Sequence, residues 1–102
     1  MVIFSVLYPA TEGARFDAAY YAATHIPLVK EVFTPTGLRS VQVMYGVATE
    51  GGAAPYVVMA HLTFESADAL KASIEAPRAA EVFADIPNYT DIPPVTQVSA
   101  LA

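Results

Sequence analysis

The chain has 102 residues, of which 55% are hydrophobic and only 15% charged, with a formal net charge of −5 and no cysteine. Its five basic residues, Arg15, Lys30, Arg39, Lys71 and Arg78, are scattered singly, which argues against binding nucleic acid or an anionic membrane surface. Without cysteine there is no disulfide, no iron–sulfur cluster and no thiolate zinc site.

The length predicts one domain spanning 1–102. A body of this size buries roughly two-thirds of the surface its unfolded chain exposes, so part of the apolar load is expected at a subunit interface. No apolar run approaches the ~20 residues of a membrane helix. Met1-Val2-Ile3-Phe4-Ser5 lacks the basic start of a signal peptide, and the cytoplasm is the expected compartment.

Val2 to Tyr8, β-branched and aromatic and closed by Pro9, predicts strand one. Asp17 suits a helix N-cap, with Phe16 and Tyr21 spaced as a hydrophobic staple. Pro27 removes a helical N–H and disfavours helical geometry at Ile26. Two helical pieces are therefore expected, near 17–25 and 27–34, with a kink or break at His25-Ile26-Pro27. Val41 to Val47 predicts strand two, Glu50 to Pro55 a hairpin loop, and Tyr56 to Phe64 strand three. Ser66 caps a further helix with Leu70 and Ile74 as its core contacts. Pro77 suits the first turn of a short helix carrying Ala80, Val82 and Phe83. Val95 to Leu101 predicts strand four after the irregular stretch around Pro87, Pro93 and Pro94.

The order β-α-β-β-α-β is the ferredoxin-like pattern of an α+β fold. Strand three sets Tyr56, Val58, Ala60, Leu62 and Phe64 on one face and Val57, Met59, His61 and Thr63 on the other. A lone sheet of this kind wets its second face. Here that face is also substantially apolar, which predicts a homodimer with two sheets packed face to face.

His25 is the leading candidate for chemistry. It lies four residues after Tyr21, so both side chains share a helix face, and histidine is the side chain most readily poised for proton transfer near neutral pH. The alternative is a structural histidine that satisfies a backbone carbonyl freed by Pro27. His61 either faces the same pocket, beside Met59, or spaces the dimer interface. Asp85, Asn88, Tyr89 and Asp91 cluster in an irregular segment that is either a shaped connection or a pocket rim. A His25–His61 metal pair lacks a third ligand at any marked spacing, so no metal is expected. No phosphate-binding or dinucleotide motif and no nucleophile elbow is present, and no bound cofactor is expected.

Three stretches together resemble the signature of the EthD family. They are Phe16-Asp17-x-x-Tyr20-Tyr21-x-x-x-His25-x-Pro27-Leu28-Val29, then Tyr56-Val57-Val58-Met59-Ala60-His61-Leu62-x-Phe64-x-Ser66, then Ala84 to Thr90 with Pro94-Val95-x-Gln97. The resemblance covers essentially the whole chain. It implies a dimeric α+β barrel with a cleft between helices and sheet in each subunit. His25 would look into that cleft, and Tyr21 and Tyr89 would line it. The wider superfamily includes polyketide cyclases, monooxygenases, decarboxylases and haem-degrading enzymes. The expected function is a small cofactor-independent enzyme acting on an apolar or aromatic carbonyl-bearing molecule, with His25 and Tyr21 catalytic and His61, Asn88, Tyr89 and Met59 binding the ligand. The alternatives are a non-catalytic ligand-binding accessory protein, or an oxidoreductase as the label "EthD family reductase" carried by relatives suggests.

Overall fold

Four strands form one antiparallel sheet: β1 (Val2–Pro9), β2 (Leu38–Tyr45), β3 (Tyr56–Phe64) and β4 (Val95–Ala100), in the spatial order β2-β3-β1-β4. This computed structural model describes all 102 residues. Each half of the chain sends helices across the same face of the sheet. The first half supplies α1 (Ala18–Tyr20), a π-helical turn (Tyr21–His25) and α2 (Ile26–Phe33). The second supplies α3 (Ala67–Glu75) and α4 (Ala79–Asp85). The result is the ferredoxin-like α+β fold expected from the element order. No helix is long and apolar enough to cross a membrane.

Strand alternation decides which side chains meet the helices. Phe4, Val6 and Tyr8 of β1 stand beside Leu62, Ala60 and Val58 of β3, and the β3 members are all buried. Phe4, Val6, Ala60 and Leu62 pack with Val29, Val32 and Phe33 of α2, Leu70 of α3 and Val82 of α4. Full burial of each such side chain contributes about 1.5–3 kcal/mol, so this ten-residue cluster is the main store of stability. A second cluster, under α1 and the π turn, is aromatic and joins Tyr8, Tyr21, Ile26, Val58, Tyr89 and Ile92.

Local signals held where the cause was local. Asp17 caps α1, its Oδ1 accepting from the Tyr20 N–H at 3.0 Å, and Phe16 meets Tyr21 with ring centroids 5.1 Å apart. Ser66 caps α3 through the Ala69 N–H at 3.0 Å. Strand β3 has the expected bounds.

Several details differ. The helix does not break at Pro27. The chain widens into the π turn, the Ile26 N–H reaching back to the Tyr21 carbonyl, and Pro27 falls in the first turn of α2, where a missing N–H costs nothing. Strand β2 starts at Leu38 and ends at Tyr45, because Gly37, at φ +113°, ends the preceding 3-10 turn and lets pairing begin at once. Ile74 is exposed, and Ser73 faces inward instead, bonded to the Thr36 hydroxyl. Pro77 precedes α4, which begins at Ala79; Ala79 and Val82 turn inward, while Ala80 and Phe83 are exposed.

Candidate functional site

The segment after α4 is latched to the start of the first helical arm. The Asp17 N–H donates to the Tyr89 carbonyl at 2.7 Å. Arg15 donates its backbone N–H to Asp91 Oδ1 at 2.7 Å and its guanidinium to the Pro87 and Asn88 carbonyls. The Thr90 hydroxyl returns a bond to the Arg15 carbonyl at 2.7 Å. These bonds carry Asp85 and Tyr89 across to His25, which lies 60 and 64 residues away from them in the chain.

His25 closes the π turn and is buried, 5% exposed. Single π turns of this kind recur at functional sites because they re-aim one side chain inside an otherwise regular helix. The Tyr21 ring stacks on the imidazole at 5.4 Å between centroids and 18° between planes. His25 Nδ1 lies 2.9 Å from Asp85 Oδ2. The other carboxylate oxygen accepts from the Tyr20 hydroxyl at 2.6 Å and from Asn88 Nδ2 at 3.0 Å. An ionised carboxylate only accepts, so the proton sits on Nδ1 and the Nε2 lone pair is left free to accept. Its partner is the Tyr89 hydroxyl at 3.3 Å, which is itself 2.6 Å from the Tyr8 hydroxyl.

Burial pushes the His25 imidazole below its ordinary value of 6.5, and the hydrogen bond and charge of Asp85 offset this only in part. His25 is therefore neutral at pH 7. Burial pushes the Asp85 carboxyl up, but the bonds from Tyr20, Asn88 and His25 outweigh it and hold the group below its ordinary 3.8. Burial raises Tyr8, Tyr21 and Tyr89, so all three remain hydroxyl donors. The arrangement is a neutral imidazole oriented by a carboxylate, with its basic nitrogen turned towards a tyrosine pair.

A cavity of about 210 Å³ adjoins this array. Phe4, Val6, Leu62 and Val29 form much of its wall, which is almost wholly apolar, and His25, Tyr8, Tyr21 and Thr96 are also among the lining residues. A void of roughly 150 Å³ holds benzene, so this one has room for a small substituted aromatic. Thr96 and Pro94 lie at its β4 side, beside the exposed Phe83.

Of the residues singled out in the sequence, the structure brings His25, Tyr21 and Tyr89 together. Tyr89 is 0% exposed and stands behind Tyr8 rather than on the cavity wall. Asn88 is exposed and supports Asp85 from behind. His61 and Met59 are separated from the cavity. They pair with Ser5 and Leu7 on the opposite face of the sheet, where His61 Nδ1 lies 2.7 Å from the Ser5 hydroxyl. The alternation of β3 requires this, since Ala60 and Leu62 take the helix side. Sequence reasoning did not assign Asp85 as the partner of His25, and it passed over Tyr8 and Tyr20. Tyr8 had a signal: it continues the Phe4, Val6 alternation that faces the helices. No three His, Asp or Glu side chains converge anywhere as a metal-ligand set.

The EthD domain profile matches residues 12–93, and the chain belongs to the EthD family. It is similar to an EthD-like protein from Ralstonia eutropha JMP134, at 39% identity over 96% of this chain and 88% of that one, with a TM-score of 0.88. An ethyl tert-butyl ether degradation (EthD) family protein from Bacillus halodurans C-125 aligns at 19% identity over 100% and 99% of the two chains, with a TM-score of 0.80. A dimeric ferredoxin-like protein of unknown function from Thermobifida fusca YX shares the fold at 13% identity over 98% and 90%, with a TM-score of 0.61. No curated protein matches the chain.

Proposed function

We propose that the chain is a small enzyme acting on an apolar or aromatic carbonyl-bearing molecule by acid–base chemistry centred on His25. One observation carries the reading: a buried, neutral imidazole, held in one tautomer by Asp85, adjoins an otherwise apolar cavity. An imidazole of this kind accepts a proton from a carbon or hydroxyl acid, and Asp85 stabilises the imidazolium that forms. Tyr21, protonated and on the cavity wall, donates to the enolate or phenolate oxygen that develops. Apolar walls exclude water and strengthen both interactions. The chemistry fits cyclisation or dehydration that begins by removing a proton next to a carbonyl, and decarboxylation that ends by returning a proton to the enolate left when carbon dioxide departs.

The working unit is proposed to be a homodimer joined through the outer sheet face. Ile3, Leu7, Met59, Ser5, His61 and Gln97 lie there with no charged neighbour among them, and the T. fusca neighbour of the same fold is described as dimeric.

The test is a thermal-shift screen of small aromatic ketones and hydroxy-ketones on wild type and His25→Ala, followed by product analysis. The expected result is a shift and turnover in wild type, with turnover abolished and the variant still folded. A carrier without chemistry would bind equally well in both and yield no product. Equal stability with no shift in either protein would refute the cavity as a binding site.

A further inference from the structure

Both ring nitrogens of His25 are occupied by protein groups. Nδ1 is bonded to Asp85, and Nε2 faces the Tyr89 hydroxyl. A ligand in the cavity therefore meets the edge and face of the imidazole, not its basic lone pair. Tyr89 is fully buried and does not line the cavity. Its hydroxyl has one further partner, Tyr8, at 2.6 Å, and Tyr8 does line the cavity. The hydrogen-bonded path from Nε2 thus runs through two hydroxyls to a residue of the cavity wall.

Resting on the reading above, we propose that the Tyr8 hydroxyl is the atom that exchanges a proton with the ligand, and that His25 receives this proton through Tyr89. The hydrogen-bond directions follow from the tautomer. Nε2 only accepts in the neutral ring, so the Tyr89 O–H points at Nε2. The Tyr89 oxygen then accepts from the Tyr8 O–H. The Tyr8 oxygen keeps its lone pairs to accept with, one towards the neighbouring Tyr21 hydroxyl and one for a ligand. In the reactive step the ligand C–H or O–H bond breaks and its proton bonds to the Tyr8 oxygen. The Tyr8 proton passes to Tyr89, the Tyr89 proton passes to Nε2, and the electron pair stays on the ligand as enolate or phenolate. Tyr8 and Tyr89 end as neutral hydroxyls with their bonds reversed, and the charge rests on the His25–Asp85 pair. No tyrosinate forms, which matters because burial disfavours one at either residue. The reversed chain then returns the proton, so one array serves as base and then as acid.

Tyr8 is thereby the catalytic contact, and Tyr89 is a relay behind it. The groups facing His25 are Asp85 from the end of α4, Tyr21 from the π turn, Tyr89 from the following segment and, beyond them, Tyr20 and Tyr8. Asp85 alone is charged, so the relay is governed by one titration, that of His25.

The experiment uses phenylacetone as the probe and follows deuterium exchange of its benzylic protons in heavy water by NMR. Wild type, Tyr8→Phe, Tyr89→Phe and His25→Gln are compared, with melting temperatures recorded for each. The expected result is accelerated exchange in wild type that falls as pH drops through the His25 titration. It should be lost by about 10²-fold or more in all three variants. Tyr89→Phe is the decisive variant, because it leaves the cavity wall unchanged. Loss in His25→Gln with exchange retained in both Tyr variants would overturn the relay and leave His25 as a direct base. Exchange retained in all three variants, or absent in wild type, would overturn both readings.

Discussion

Asp85→Asn tests the centre of the site with the least change of shape. Three donors point at the carboxylate: His25 Nδ1 at 2.9 Å, Tyr20 Oη at 2.6 Å and Asn88 Nδ2 at 3.0 Å. An asparagine offers one acceptor oxygen and one amide nitrogen, so it cannot accept from both sides. If its oxygen stays with Tyr20 and Asn88, its NH₂ faces Nδ1. His25 must then move its proton to Nε2, where it meets Tyr89. A hydrogen bond to a charged group contributes about 1.5–3 kcal/mol. The bonds from Tyr20 and exposed Asn88 persist on the asparagine oxygen and are screened by solvent, so they add little to the loss. The loss should be about 2–3 kcal/mol, most of it from the buried His25 bond. Unfolding entropy of ~2.1 cal/mol/K per residue over 102 residues turns this into a fall in melting temperature of about 10–15 °C. Calorimetry at pH 7 measures the fall, and nitrogen NMR of the imidazole reads the tautomer. An unchanged melting temperature together with a proton still on Nδ1 would refute the argument that Asp85 fixes this ring.

Acid should destabilise the protein in two stages. His25 and Asp85 both have folded-state pKa values below their ordinary ones, so in each window the unfolded chain binds more protons and stability rises with pH. The His25 contribution is complete above its ordinary 6.5 and is lost as pH falls below it. That of Asp85 is complete above 3.8 and is lost only in stronger acid. Melting curves across this range should show both stages, and His25→Gln should lack the first. Gly37→Ala should destabilise by about 1–3 kcal/mol, because φ is +113° and a Cβ there would stand 2.6 Å from that of Ala69; denaturant titration measures it. Leu7→Lys, on the outer sheet face, should give a monomer by light scattering without loss of cavity binding. A wild-type monomer, or a variant that stays dimeric, would refute that interface.

Much of the fold was legible because its causes are local. Alternation gave the bounds of β3, and capping chemistry gave Asp17 and Ser66. The same alternation also fixes which way His61 and Met59 point. Once Val58, Ala60 and Leu62 are taken as the buried set, His61 and Met59 must point away from His25. The π turn was not legible. Pro27 signals that one helical bond is missing, but not whether the chain breaks or widens, and the widened turn ends at His25, which packs against Tyr89 and Asp85. That pairing spans 60 residues, and no spacing rule reaches so far. Asp85 stood in the sequence as one of several polar residues near a turn, and it is the packing of α4 on α2, together with the Arg15 latch on the following segment, that brings it to the imidazole.

The two buried clusters have different work. The apolar one beneath α2, α3 and α4 contains no titratable group and is sufficient to hold helices on sheet. The aromatic one places its polar atoms at a single end, where Tyr8, Tyr21, Tyr89 and His25 converge from β1, the π turn and the segment after α4. Replacing this end with aliphatic side chains would remove the cost of burying a histidine and a carboxylate and would leave the larger core untouched. A structural account of His25, in which it satisfies a backbone carbonyl freed by Pro27, requires a ring N–H on that carbonyl. Both ring nitrogens instead face side chains. The widened turn already engages the Ile26 N–H with the Tyr21 carbonyl. The polar end is therefore not explained by repair of the helix. Under the proposed relay, what it provides is a basic nitrogen with one buried route to an apolar cavity, and that is the requirement for moving a proton out of reach of water.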